Sequence, residues 1–336
     1  MKNSDSRTKI PIKKDKMKLN RIIISAALFM ASAILAGAQE SATETAALPF
    51  LNYSGDTRSL AMGGLTVTGE PGAYAHFNNM AAVPFSENTL SAGVSYGMMQ
   101  PTGVKGNLFS LGAAWNIKDR FGVTLGVLAQ TGEKYDLTNE AGVPDGTFAP
   151  KDFRIGAGFS YRIIDGLSVG VGLNYAQSTL APKSDLYKTT MSTFAADIQV
   201  MYRIKGFDIS LSASNLGVPV ESASGAKFDL PMNAKLAAGW ANDFDRHHVA
   251  AGVEGGVFFG GPAAGFAGAG AEYMYNDLVA VRAGYHYAGK SNGLASFASV
   301  GLGFRFFGVN IDAAYLIGAG DSPMKNSFSV GVGYSF

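Results

Sequence analysis

The sequence predicts an all-β fold, namely a transmembrane antiparallel β-barrel of about 14 strands with an N-terminal plug. Apolar side chains alternate with small or polar ones over about 14 segments, which is the period of a β-strand with two different faces. The chain is 47% hydrophobic and only 16% charged, with 43 glycines, whereas about a quarter of a soluble domain is charged. No segment after the first 38 residues has the roughly 18 consecutive apolar residues of a transmembrane helix. A closed barrel is then the structure that satisfies its backbone in lipid.

The first 38 residues are typical of a secretory signal peptide. A basic stretch ends at Arg21, the apolar run 22–35 follows, and the small residues 36–38 form the cleavage signature. The apolar run is too short to cross a bilayer as a helix. Met17 begins a complete signal peptide by itself, so a start at Met1 or at Met17 stays open. We expect export and a place in the outer membrane.

Charge and cysteine content exclude several classes of protein. Residues 1–38 hold 8 of the 27 basic and 2 of the 26 acidic side chains, so the remainder carries 19 basic and 24 acidic residues. A mildly acidic chain is a poor ligand for phosphate backbones, and we expect no nucleic-acid partner. The sequence has no cysteine, which excludes disulfides and thiolate metal sites. No cofactor is expected.

The predicted strands are clearest at the C-terminus, where Phe328, Val330, Val332, Tyr334 and Phe336 lie on one face and only Ser and Gly on the other. A face of such small residues suits a crowded lumen better than water. The full set of predicted strands is 89–99, 107–117, 121–131, 152–163, 167–178, 190–204, 207–215, 231–241, 247–259, 265–275, 278–288, 295–306, 309–318 and 327–336.

The connections between these strands alternate in length. Short turns such as Lys205-Gly206 follow even strands, and longer loops such as 132–151 and 216–230 follow odd ones. Barrels of this kind have short periplasmic turns and longer extracellular loops, so an even strand count places both termini in the periplasm. Outward aromatic residues gather near both ends of the strands, as two membrane interfaces require.

Residues 39–88 do not alternate, and they precede the barrel proper at 89–336. A 14-stranded barrel is wider than the eight-stranded ones that side chains fill, so this segment could fold inside the lumen as a plug. The candidate plug residues are Arg58, Met62, Gly63, Gly64 and Asn78.

The chain resembles the PorV/PorQ family of Bacteroidetes outer-membrane proteins, within the wider group of FadL-like barrels. The order and spacing of short motifs carry the resemblance: Phe50-Leu51, Arg58-Ser59-Leu60-Ala61-Met62-Gly63-Gly64, Asn215-Leu216-Gly217, Leu230-Pro231, Gly270-Ala271-Glu272-Tyr273 and Val281-Arg282-Ala283-Gly284-Tyr285. One departure is Phe77-Asn78-Asn79-Met80-Ala81, where relatives have an Asn-Pro-Ala-Gly-like turn. The last strand, ending on Phe336, resembles the signal that the barrel-assembly machinery recognises.

The alternation also places a set of charged side chains in the lumen. A functional interpretation is a polar substrate path or an anchor for the plug. The alternative is a ladder of cross-strand ion pairs that keeps the wall neutral. The candidates are Arg154, Arg162, Asp197, Arg203, Asp208, Lys235, Glu254, Glu272, Arg282, His286, Arg305 and Asp312.

Catalysis is not expected. His76, His286 and the His247-His248 pair fall in separate parts of the predicted fold, and neither a Ser/His/Asp set nor a His-Glu-x-x-His spacing occurs. The family resemblance implies one of two functions. A type IX secretion barrel would dock secretion subunits or cargo through loops 132–151 and 216–230. A FadL-like conduit would need an apolar pocket between plug and wall for small hydrophobic molecules.

Overall fold

The structure is a computed structural model of the whole chain. It describes residues 46–67, 69–99, 105–139, 141–183, 189–221, 225–259, 264–288, 295–318 and 324–336. The predicted signal peptide and residues 39–45 of the predicted plug lie outside the described residues.

Fourteen of the described strands form one closed antiparallel barrel, which confirms the predicted fold class. Each strand pairs with its sequence neighbours, and β1 pairs with β14. The barrel strands are β1 Leu90–Met99, β2 Gly106–Ile117, β3 Phe121–Gly132, β4 Lys151–Ile164, β5 Leu167–Thr179, β6 Thr190–Ile204, β7 Phe207–Gly217, β8 Asn233–Phe244, β9 His247–Phe258, β10 Ala264–Tyr275, β11 Val279–Ala288, β12 Phe297–Phe306, β13 Val309–Gly318 and β14 Ser327–Ser335.

The two ends of the barrel differ in how the strands connect. At one end, here the turn end, tight turns such as Lys205-Gly206 and Phe307-Gly308 have both residues at positive φ. This is the backbone of the two-residue turns that match the twist of a hairpin. At the other end, the loop end, two small hairpins rise from the longer loops. The β3–β4 hairpin pairs Tyr135–Thr138 with Pro144–Phe148, and the β7–β8 hairpin pairs Val220–Glu221 with Lys227–Phe228.

Strand β8 differs from its prediction. It begins at Asn233 and continues to Phe244, so it starts two residues later and ends three later than 231–241. The later start has a physical reason, because Leu230 and Pro231 are buried and belong to the inside of the loop end. The later end leaves a turn of only Asp245 and Arg246.

The outward face of the wall is apolar, as the alternation predicted. Trp115 is 51% exposed and Leu302 is 61% exposed, while their neighbours Ala114 and Gly303 are buried inside the barrel. Large apolar side chains on every strand are stable in this position only when lipid covers them.

The segment before β1 fills the lumen from one end to the other, and residues 46–67 with 69–88 are called the plug below. Its backbone starts at the loop end, where Ala47 N–H donates to Asp229 O at 2.8 Å. It finishes at the turn end, where Asn116 Nδ2 donates to Ser86 O at 2.7 Å. Its helical elements are the 3₁₀ helix Pro49–Asn52, α1 Thr57–Ala61 and the 3₁₀ helix Met80–Phe85.

Glycines on the inner face of the wall let the plug backbone approach it. A Cβ atom on Gly284 would lie 2.1 Å from the carbonyl carbon of Met62, and one on Gly270 would lie 2.3 Å from Met62 O. Such distances are impossible for real side chains, so the small inner face is what makes room for the plug.

One seam of the barrel is irregular. The β6–β7 register shifts at Asp197, and Asn215 has a left-handed backbone with φ 59°. This is the geometry of a β-bulge, which bends a strand and interrupts its ladder. The β7–β8 pairing ends at Ser214 with Asn233, although β7 itself continues to Gly217 beside β6.

Candidate functional site: the plugged lumen

The largest charged cluster among the described lumen residues surrounds Glu272 of β10, which is only 1% exposed. Arg58 of the plug donates from Nη2 to Glu272 Oε1 at 2.7 Å, and Arg282 of β11 donates from Nε to Oε2 at 2.5 Å. Arg282 Nη1 also contacts Asp312 Oδ1 of β13 at 2.6 Å. One carboxylate therefore joins the plug to two strands of the wall.

Arg203 and Asp208 form a second pair beside the turn end. Arg203 Nε lies 2.6 Å from Asp208 Oδ1, across the β6–β7 pair. The same guanidinium donates to two plug carbonyls, Phe85 O at 3.0 Å and Gly69 O at 2.8 Å. It therefore neutralises the wall and holds the plug.

Glu254 and Lys235 pair at 3.6 Å between β9 and β8. Oε2 of Glu254 also accepts from both N–H and Oγ1 of Thr66, at 3.0 and 2.9 Å. This carboxylate is a third point at which a wall charge binds the plug.

Arg154 Nη2 of β4 lies 3.4 Å from Asp197 Oδ2 of β6, with β5 between the two strands. Arg154 Nη1 donates to the plug carbonyl Leu51 O at 2.9 Å. Asn174 of β5 accepts from Arg154 Nε at 3.0 Å and donates to Asp197 Oδ2 at 2.8 Å. The pair is fully embedded in polar partners, as a buried ion pair must be.

Three predicted lumen residues differ from this pattern. His286 is buried and stacks on Phe297 with ring centroids 5.3 Å apart, and it forms no ion pair among the described residues. Arg305 has no ion pair among the described residues, and its Nε donates to Asn310 Oδ1 at 2.9 Å. Arg162 lies at the turn-end rim, where it donates to Asp165 O at 2.6 Å and stacks over Phe85.

The five predicted plug residues all lie at the interface with the wall or inside the plug. Gly63 N–H donates to Ser299 Oγ at 3.0 Å, and Gly63 and Gly64 both have positive φ, which L side chains rarely adopt. Met62 is completely buried. Asn78 Nδ2 donates to Asp56 Oδ2 at 2.6 Å, and Arg58 binds Glu272 as described above.

Burial and charge shift the pKa values of three plug groups. Burial raises the pKa of Asp56. For Arg58 burial acts downward, but the Glu272 carboxylate outweighs it and holds the pKa above its usual value. Burial, with the nearby Arg154 charge, lowers the pKa of His76 from 6.5 to about 4. His76 is therefore neutral at physiological pH, and its ring nitrogens contact Asn174 Oδ1 at 2.8 Å and Thr124 Oγ1 at 3.1 Å.

The loop-end layer of the lumen is apolar. Here the first part of the plug packs against inward side chains of the wall and loops, all of them buried. The layer contains Leu48, Phe50, Leu51, Leu108, Leu128, Val220, Leu230, Phe297, Leu316 and Met324.

Cavities lie between plug and wall at two levels of the described lumen. The one nearer the turn end has about 170 Å³ and is lined by charged residues, among them Asp56, Arg282 and Arg305. The one nearer the loop end has about 110 Å³ and is lined by polar residues together with Phe258, Phe266 and Phe297.

Sequence reasoning missed several residues that bind the plug. Gln199 accepts from Met80 N–H at 2.6 Å, and Asn52 accepts from Asn215 Nδ2 at 2.9 Å. A neutral amide on the polar face of a strand does not stand out in the sequence pattern, although Asn215 belongs to one of the motifs that carry the family resemblance. Among the described residues no group of three or more His, Asp or Glu could hold a metal ion. No helix in the described part is long and apolar enough to cross a membrane.

Comparison with known proteins agrees with this architecture. The family model of the type IX secretion system protein PorV matches residues 36–254, which is more than half of the chain. The chain belongs to the PorV family. It is an outer-membrane β-barrel of the secretion-associated type. A search of curated proteins gave no significant match for this PorV-family chain.

Solved structures similar to this PorV-family barrel include transporters and channels of hydrocarbons. The toluene transporter TodX of P. putida has a TM-score of 0.60 at 14% identity, covering 84% of this chain and 98% of TodX. The monoaromatic hydrocarbon channel CymD has 0.57 at 15%, covering 85% and 98%. A Pseudomonas aeruginosa FadL homologue has 0.53 at 13%, covering 84% and 99%. At such identities the likeness concerns the fold.

Proposed function

We propose that this PorV-family barrel works as a closed docking platform, which binds secretion-system subunits or cargo at its loop end. The observation that carries the proposal is the number of separate wall strands that bind the plug. Arg203, Glu254 and Glu272 lie on β6, β9 and β10, and each contacts the plug with a charged group. A lumen filled in this way leaves the ends of the barrel as the surfaces for function.

The loop end offers exposed apolar groups outside the wall. Val218 beside the β7–β8 hairpin is 71% exposed, and Val143 in the β3–β4 loop is 55% exposed. A docked partner would remove these side chains from water, which favours binding at this end. These are the two loops, 132–151 and 216–230, to which the family resemblance points.

We also propose how the barrel is oriented in the outer membrane and what the segments outside the described residues do. The turn end with Phe336 faces the periplasm, lipid covers the outward face, and residues 1–38 are removed on export. Residues 39–88 act as the plug of the 89–336 barrel. Ala47 lies at the loop end, so in the proposed orientation the described part of the plug begins on the outer side and Phe336 lies on the periplasmic side. Docking at the loops requires no catalytic group.

Affinity capture from native membranes tests the docking. A Val218→Asp variant should lose most of the secretion subunits or cargo that the unaltered protein captures, because a carboxylate cannot be buried unpaired at an interface. Lys325→Glu changes the charge of another loop and should capture as well as the unaltered protein. Equal capture by all three proteins would contradict docking at this hairpin.

A second candidate function is passage of small hydrophobic molecules. The aromatic residues beside the 110 Å³ cavity and the fold shared with toluene transporters favour it. Uptake of a monoaromatic hydrocarbon by a deletion strain, with and without the restored protein, separates the two functions. Normal uptake together with lost secretion supports docking.

A further inference from the structure

We propose that the β7–β8 hairpin and the N-terminal part of the plug form one conformational unit, so that a change in either is transmitted to the other. The biological use of this unit rests on the proposed docking at the hairpin. A docked partner would then bias the position of the plug.

The first observation is that the plug enters the lumen bound to the base of this hairpin. Ala47 N–H donates to Asp229 O at 2.8 Å, one residue after the hairpin ends at Phe228. Val220 and Leu230 on the hairpin side belong to the same buried apolar cluster as Leu48 and Phe50 of the plug. The hairpin therefore has the plug as part of its own core.

The second observation is that hydrogen bonds to the plug take the place of strand pairing at the β7–β8 seam. Backbone pairing between these strands stops at Ser214 and Asn233. Beyond that point Asn215 Nδ2 donates to Asn52 Oδ1 at 2.9 Å, and Asn233 Nδ2 contacts the same oxygen at 3.4 Å. Asn52 of the plug thus bridges the strands on which the hairpin stands.

The third observation connects the bulge to the buried ion pair. Asn215 N–H donates to Asp197 Oδ1 at 2.8 Å, and Asp197 Oδ2 pairs with Arg154. Arg154 in turn donates to Leu51 O. The left-handed Asn215 and the plug backbone therefore share one polar network, and neither can shift without breaking buried hydrogen bonds.

The β3–β4 hairpin provides an internal comparison. Among the described residues its contact to a neighbouring loop is a hydrogen bond from Tyr135 Oη to Leu180 O at 2.8 Å, and its strand residues are mostly exposed. It stands on the same rim without the polar connection to the plug. If the coupling is built into the fold, a change in the plug should affect the β7–β8 hairpin and leave the β3–β4 hairpin unaffected.

Amide hydrogen exchange of the full chain, folded in detergent, tests the proposal. Asn52→Ala should speed exchange in residues 218–221 and 225–230 about fivefold, the effect of losing a hydrogen bond, and should leave 135–148 unchanged. Coupling is reciprocal, so Leu230→Ala should in turn speed exchange in residues 47–53.

The matched control is Asn79→Ala, which removes a buried plug amide that donates to Ser210 Oγ at 3.1 Å and should not affect either hairpin. If Asn52→Ala speeds exchange only inside the plug, or equally in both hairpins, the unit does not exist. The measurement uses no partner. A failure of affinity capture would therefore overturn the proposed docking and leave the coupling standing. Unchanged hydrogen exchange in the variants would overturn the coupling and leave the docking standing.

Discussion

The two layers of the lumen hold the plug by different means. At the loop end, the side chains of Phe50 and Leu51 pack against apolar wall residues, and these side-chain contacts are non-directional. Toward the turn end, Glu272, Arg203 and their partners bind the plug through charge-assisted hydrogen bonds, which need defined geometry. The apolar layer stabilises the plug by burying its side chains, and the charged layer fixes the position of the plug relative to the wall strands. Four changes separate these contributions.

The largest effect is expected in the charged layer. Glu272→Ala removes the carboxylate that Arg58 and Arg282 share, and removing one partner of a buried ion pair costs about 3–5 kcal/mol. Urea unfolding in lipid vesicles measures it. The control Asp243→Asn alters a side chain that is 75% exposed and should cost less than about 1 kcal/mol. Equal losses would show that the Glu272 cluster is not a special anchor.

A slightly smaller effect is expected in the apolar layer. Phe50→Ala removes a side chain that is 2% exposed, and the cavity should cost about 3 kcal/mol. Because Phe50 contributes to no strand, the loss should free the plug for proteolysis while the barrel still migrates as a folded band on unheated gels. Leu180→Ala, on an exposed loop residue, is the control. Loss of the folded band would mean that barrel and plug unfold together.

His76 lies where the layers meet and gives a pH dependence. The pKa of His76 is about 4 in the folded protein and 6.5 in the unfolded chain. The contribution of the neutral ring to the free energy of unfolding is therefore complete above pH 6.5 and is lost as the pH falls toward 4. By pH 5 the loss is about 2 kcal/mol. His76→Asn should lack this component, seen as the difference between the two urea midpoints over pH 4 to 7. A constant difference would contradict it.

The smallest effect concerns the close approach of plug and wall. Gly63 and Gly142 both have positive φ, but a Cβ on Gly63 would lie 2.7 Å from Tyr285 N, whereas one on Gly142 would meet open space. Gly142→Ala carries only the backbone strain. Gly63→Ala should cost about 1 kcal/mol more in urea unfolding. Equal costs would show that the wall yields at this point.

The sequence was a good guide to the barrel and a poor one to the interior contacts. Period-2 alternation predicted 14 strands with bounds within a few residues, because the face of a side chain is a local property. Partners are not local. Arg154 pairs with Asp197 across an intervening strand, and Arg58 binds Glu272, 214 positions away. The bulge at Asn215 and the path of the aperiodic plug also left no periodic trace.

The path of the plug has a consequence for biogenesis. The described plug passes from the loop end to the turn end and leads into β1, which pairs with β14 through two hydrogen bonds between Leu90 and Phe336, each 3.0 Å long. A segment inside a closed ring must be present when the ring closes or be threaded through it later. A chain that closes the β1–β14 seam before its plug is seated must therefore draw the plug into a ring that is already closed.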